Sequence, residues 1–147
     1  DFRDKRLRTS LHIQLGEQSL VIDTGPDFRQ QMLRERIDRL DAVLFTHAHR
    51  DHTAGLDDVR AYNFMQEMDM PVYGTEATLD QLKLEYAYAF AKVSYPGIPR
   101  LKLEVIDGNP FHVNGPSILP LPVMHLKLPV LGFRIGNFSY ITDANFI

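Results

Sequence analysis

Apolar and polar residues alternate over Leu11-His12-Ile13-Gln14-Leu15, Gly16-Glu17 make a turn, and Leu20-Val21-Ile22 runs apolar. The opening therefore predicts a β-hairpin whose second strand ends at Asp23-Thr24-Gly25. After Pro26 the period changes: Phe28, Met32, Leu33, Ile37 and Leu40 recur at helical spacing, predicting a helix over 28–40 with Asp27 near its start. Ala42-Val43-Leu44-Phe45 reads as a short buried strand. A second helix is expected from Thr53–Gly55 onward, with Leu56, Val59 and Phe64 inward and Asp57, Asp58, Arg60 and Glu67 outward. Pro71-Val72-Tyr73-Gly74 reads as a strand. Thr75 reads as the cap of a further helix with Leu79, Leu82, Tyr86 and Phe90 on one face, and Ser94–Arg100 reads as a loop.

The remainder is rich in strand signals. Leu101–Ile106 alternates, Phe111–Val113 and Ile118–Met124 follow, and Leu131–Ile135 pairs across Gly136-Asn137 with Phe138–Thr142. Strands mixed with helices predict a layered α/β or α+β domain. The 147 residues form a single unit, with no repeat or linker along 1–147.

Composition narrows the class. Hydrophobic residues at 44%, charged residues at 24% and a net charge of -3 describe a globular chain without an electrostatic footprint for nucleic acid. No apolar run has transmembrane length. The absence of cysteine excludes thiolate ligands and disulfides in this chain and is compatible with a cytoplasmic setting. Arg3, Lys5, Arg6 and Arg8 form one basic cluster, read as a solvated lead-in to the first strand.

The chemistry sits just after Thr46 in His47-Ala48-His49-Arg50-Asp51-His52, which packs three imidazoles and a carboxylate into six residues just beyond a strand end. Neutral imidazole and carboxylate are ligands of first-row ions, zinc above all. His47 and His49 are two residues apart and can converge on one ion, while Asp51 and His52 address a second. His125 and Asp143 each follow a predicted strand and join the same cluster. Asp23 reads equally as a carboxylate that accepts a ligand histidine's free ring N–H or as a plain turn cap. His12 is expected to face solvent, and neither it nor His112 is expected to be a ligand.

In order and spacing, Asp23-Thr24-Gly25, Thr46–His52, His125 and Asp143 resemble the metallo-β-lactamase fold superfamily. Gly55-Leu56-Asp57-Asp58, His125-x-Lys127 and Thr142-Asp143-Ala144 are similar to its branch of cyclic-phosphate phosphodiesterases of the phosphonate-utilisation type. Gly25-Pro26-Asp27-Phe28-Arg29-Gln30-Gln31 is similar to the related protein of pyrroloquinoline-quinone biosynthesis. The resemblance implies an αββα sandwich, incomplete here at both ends, so that 1–147 would be a portion of a longer domain. It implies two zinc or manganese ions, one held by His47, His49 and His125, the other by Asp51 and His52, with Asp143 between them. A further histidine of the family has no counterpart after Asp143, and its Gly-rich first strand is missing.

The expected function is a metal-dependent hydrolase, a phosphodiesterase on a small cyclic or nucleotide-like phosphate. Paired ions supply a hydroxide nucleophile near neutral pH, aimed by Asp51. Lys127 reads first as a surface lysine and second as a partner for a substrate phosphate oxygen. Alternatives are tRNA 3′-end endonuclease, thioesterase or lactonase chemistry on the same fold, and a non-catalytic metal-binding accessory protein of cofactor biosynthesis. The mild acidity argues against tRNA. The expected partner is a small phosphate ester, with no membrane. The incomplete sheet is expected to be covered either by segments of a longer native protein or by a second copy in a homodimer.

Overall fold

The computed structural model describes residues 4–92 and 95–145. Arg3 of the basic cluster and Ser94 of the predicted loop lie outside them.

Two sheets carry the fold. The first has the order β1 (Leu11–Leu15), β2 (Gln18–Ile22), β3 (Ala42–Leu44), β4 (Met70–Gly74), β5 (Leu101–Val105). β1 and β2 form the predicted antiparallel hairpin, and β2 through β5 run parallel. Every residue of β2 and β3 is buried, as expected of parallel strands covered on both faces. The second sheet is antiparallel: β6 (Phe111–His112), β7 (Ser117–His125), β8 (Leu128–Ile135), β9 (Phe138–Tyr140).

The helices are α1 (Phe28–Glu35), α2 (Arg50–Thr53), α3 (Arg60–Gln66) and α4 (Glu76–Glu85). Two cores result. Phe28, Met32, Leu56, Val59, Tyr62, Leu79 and Leu82 pack with Val21, Val43 and Val72 on one face of the first sheet. On the other face Leu20, Ile22, Ala42 and Leu44 meet Ile118, Leu131, Phe133 and Ile135 of the second sheet. Helix, sheet and sheet thus stack in three layers, the α/β arrangement expected. Among the described residues no helix is long and apolar enough to cross a membrane.

Three local expectations need correction. α1 stops at Glu35 rather than Leu40, because Arg36 turns into the left-handed region at φ 56 and its N–H caps the helix; Ile37 and Leu40 reach the core from the following loop. The predicted helix around 56–67 is broken into a 3-10 turn at Leu56–Val59 and then α3. That break rotates Phe64 out to 67% exposure and turns Tyr62 and Asn63 inward, where Tyr62 Oη donates to Ile37 O and Asn63 binds Met68 O and Arg100 O. After α4, capped by Thr75 as predicted, a 3-10 turn carries Phe90 away from the Leu79, Leu82 and Tyr86 face.

Candidate metal centre

The site lies at the carboxyl ends of β2 and β3, where the two sheets meet. Beyond β3 the chain passes through Phe45 and bends at Thr46. The Thr46 carbonyl accepts from Leu131 N–H of β8 at 2.9 Å, fastening this loop to the second sheet. His47 follows, 2% exposed. α2 is one short turn that brings Asp51 and His52 round beneath His47. His125 is the last residue of β7, and Asp143 lies beyond β9 in a left-handed conformation at φ 56.

These placements bring the residues singled out in sequence together. His47, His49, His125 and Asp143 offer ligand atoms that all lie within 4.8 Å of one another. His47 Nε2 is 3.0 Å from His49 Nδ1 and 3.7 Å from Asp143 Oδ2. The same Asp143 Oδ2 is 3.2 Å from His52 Nε2, which in turn is 3.9 Å from Asp51 Oδ2. Asp143 therefore stands between the His47 group and the His52–Asp51 pair. Donors about 2.1 Å from one ion lie at most about 4.2 Å apart, so a span of 4.8 Å needs side-chain closure of roughly half an ångström. Three imidazoles and a carboxylate in that space fit a first-row divalent ion.

Asp23 organises the protons behind this cluster. It is fully buried at φ 63, and its carboxylate accepts from Thr46 N–H at 2.9 Å, Thr46 Oγ1–H at 2.8 Å and His52 Nδ1–H at 2.7 Å. Because the Thr46 hydroxyl donates to Asp23, it can only accept from His47 Nδ1, 2.9 Å away. Both His47 and His52 are thereby set with Nδ1 protonated and the Nε2 lone pair facing the cluster. Both aspartates occupy the left-handed region, which Asp tolerates better than most residues.

The electrostatics agree with this proton pattern at His47, whereas at His52 they favour a ring that also holds a proton on Nε2, toward Asp143. Burial pushes the His47 ring down to about 4, and the neighbouring His52 and His49 rings add to that, so it is neutral at pH 7. Burial also lowers His52, but the hydrogen bond and charge of Asp23, with Asp143 and Asp51, outweigh it and raise the ring above its ordinary value. For Asp143 burial raises the carboxyl, and His52, the Thr142 hydroxyl and His47 together bring it below the ordinary range.

The other candidates fall elsewhere. His12 is half-buried rather than solvent-facing, because its Nε2 is paired with Ser19 Oγ at 2.9 Å across the hairpin. His112 is exposed near Gly115 O. Lys127 is exposed in the turn between β7 and β8. Arg8, read as part of a solvated lead-in, instead reaches the site, with its NH1 3.6 Å from Asp51 Oδ2. No sequence signal marked it; the structure shows Asp27 and Gln31 of the Gly25–Gln31 phrase both binding the Arg8 main chain.

Two sheets with a His/Asp cluster at their shared edge define the metallo-β-lactamase fold. The chain belongs to the family described as the beta-lactamase superfamily domain, whose model matches residues 18–147. It is 47% identical to a protein of Porphyromonas gingivalis named octanoyltransferase, over 97% of this chain and 29% of that one. It is 29% identical to ribonuclease Z of Bradyrhizobium diazoefficiens, over 88% of this chain and 44% of that one. Among solved structures it is similar to a diphosphatase from the PhnP family, with a TM-score of 0.83 and 35% identity over 92% of this chain and 51% of that one. The chain thus spans from under a third to about half the length of these proteins.

Proposed function

We propose that this chain carries the metal-binding part of a metal-dependent phosphodiesterase acting on a small cyclic or nucleotide-like phosphate. The observation that carries the reading is Asp143 Oδ2, 3.7 Å from His47 Nε2 and 3.2 Å from His52 Nε2, poised between two donor groups. His47, His49, His125 and Asp143 would hold one ion, and Asp51, His52 and Asp143 a second. The imidazole share suits zinc and the carboxylate share accommodates manganese. Such ions, when bound, lower the pKa of water and polarise a phosphoryl oxygen.

The chain's own residues do the rest. Asp23 and Thr46 keep the two Nε2 lone pairs turned inward. Asp51 Oδ2 faces the cluster from its open side, where it can accept a hydrogen bond from the attacking water and orient it toward phosphorus. The 35% identity to the protein described as a PhnP-family diphosphatase supports a phosphoryl compound as substrate class. A second reading, hydrolysis of an acyl ester or thioester, is supported by the 47% identity to the protein named octanoyltransferase, of which this chain matches 29%. A net charge of -3 weighs against a tRNA substrate, whose backbone is bound through basic surface.

The test is turnover by the full-length protein loaded with zinc or manganese. Hydrolysis of bis(p-nitrophenyl) phosphate, with p-nitrophenyl octanoate and a tRNA precursor left intact, is the expected result. Metal-loaded protein inert toward all three would favour the accessory-protein reading.

A further inference from the structure

The Gly25–Gln31 phrase has no part in the ligand set, yet the fold spends it on one residue. Asp27 Oδ2 accepts from Arg8 N–H at 2.7 Å, and Gln31 Nε2 donates to Arg8 O at 2.7 Å, so both peptide groups of Arg8 are clamped. Gly25 lets the pieces close up. A Cβ there would lie 3.3 Å from Arg8 Cβ and 2.6 Å from Asp51 O, so a side chain would push Arg8 and Asp51 apart. The main chain at Arg8 is thus fixed to the segment after β2, which at Gly25 packs against the Asp51 main chain.

Among the described residues the guanidinium itself makes no hydrogen bond, and its one charged neighbour is Asp51, at 3.6 Å, beyond the range of an N–H···O bond. The Arg8 side chain is 62% exposed, and an ion pair so exposed adds little to stability. Arg50, the other arginine nearby, is engaged with Glu85 at 3.3 Å. A rigidly based, loosely paired guanidinium beside an open cluster suits an anion that arrives from outside and presents two oxygens to its fork.

Resting on the phosphoester reading above, we infer that Arg8 is a substrate-binding residue whose guanidinium receives the non-bridging phosphate oxygens at the mouth of the cluster. When Asp51 engages an ion, its charge is satisfied there, and the guanidinium turns its donors to the substrate. Asp27 and Gln31 act as positioning residues for it.

The experiment is titration of the zinc-loaded full-length protein with inorganic phosphate by calorimetry. Wild type, Arg8→Gln and Arg8→Lys are compared, with zinc per chain measured on each. Arg8→Gln is expected to bind phosphate about 10- to 100-fold more weakly with its zinc unchanged, as loss of a charge-assisted bidentate contact implies. Arg8→Lys should recover part of the loss, because it restores the charge but not the fork. On bis(p-nitrophenyl) phosphate the Arg8→Gln loss should fall mainly on KM. Equal phosphate affinity in wild type and Arg8→Gln, or no phosphate binding by wild type, would overturn the inference. Loss of zinc from Arg8→Gln would also overturn it, by making Arg8 a support for Asp51 instead. Arg8-dependent phosphate binding without diester turnover would sustain this inference while removing the phosphodiesterase reading.

Discussion

Asparagine in place of Asp23 keeps the side chain's shape and reverses the polarity of one of its two ends. In the native chain Oδ1 accepts from Thr46 N–H, and Oδ2 accepts from both Thr46 Oγ1–H and His52 Nδ1–H. The carboxamide oxygen of Asn serves the Thr46 N–H, which leaves an NH2 group facing two donors at 2.7 and 2.8 Å. The Thr46 hydroxyl can rotate to accept; His52 must move its proton from Nδ1 to Nε2. That proton then points at Asp143 and removes the lone pair proposed to hold metal. Backbone strain does not confuse the result, because Asn tolerates the left-handed conformation at φ 63 as well as Asp does. Losing buried charge-assisted hydrogen bonds should lower the stability of the metal-free protein by about 1.5–3 kcal/mol. Metal affinity should fall about 10- to 100-fold, the usual effect of removing a carboxylate behind a ligand histidine. Urea titration of the metal-free protein, zinc competition against a chelator, and nitrogen-15 NMR of the imidazoles measure the three consequences separately. Native zinc affinity, together with His52 still protonated at Nδ1 in the variant, would refute the reasoning.

Removing the imidazole in His49→Ala, or the carboxylate in Asp51→Ala, should strip most bound metal while leaving a folded protein, since both sit on the loop after β3 and outside either core; elemental analysis and circular dichroism check the pair, and unchanged metal in both would remove the motif as the site. Gly55→Ala should destabilise by about 1–3 kcal/mol or more, because the added methyl lands 2.6 Å from Phe28 Cβ and against the Gly25 carbonyl in fixed backbone; the thermal midpoint of the variant measures it. Asp41 is 3% exposed; burial raises its carboxyl, but the Arg39 guanidinium and Ser19 N–H outweigh that and leave it below the ordinary value. A depressed carboxyl stabilises the fold above its unfolded-state value and loses that contribution as pH falls through its folded value. Asp41→Asn should therefore be less stable than wild type by about 1–2 kcal/mol at pH 7, and urea midpoints should show the gap closing below pH 4.

What the sequence made legible follows from which residues obey a period. The hairpin, β3, β4, β7 and β9 follow the alternating or short apolar runs read for them and lie within two residues of the predicted spans, whereas α4 stops five residues before Phe90 and β8 begins three before Leu131. The misreadings fall where one local contact overrides the period. Arg36 ends α1 while Ile37 and Leu40 still look helical, because those two are drawn into the core by other means: Ile37 N–H caps onto Met32 O, and both Leu40 peptide groups are held by Gln66. Phe64 looks inward by spacing, but the 3-10 turn before α3 shifts the phase. At the site, the ring placements were readable because strand ends concentrate at one edge of the sheets. Arg8 was not, since a charged residue before a strand has no periodicity to betray it, and its anchors lie 19 and 23 residues away.

The two sheets are tied together at Thr46, and this makes the cluster dependent on strand register. Its carbonyl is bonded to Leu131 of β8, while its N–H and hydroxyl are bonded to Asp23 at the end of β2. β8 in turn fixes His125, which pairs with Leu128 at the turn end of the β7–β8 ladder. A slip of one residue in that ladder would send His125 to the opposite face of the sheet, away from His47. A slip of β8 itself would instead break the Leu131–Thr46 bond, because the N–H of the next residue points the other way. The contact that docks the second sheet on the first is thus the contact that sets the distance from His125 to His47 and His49, whose ring centroids are 5.8 and 5.4 Å from its own. Any ion shared by these three rings bonds the two sheets to each other, so its binding energy acts directly on the sheet-to-sheet packing that holds Leu20, Ile22 and Phe133 out of water.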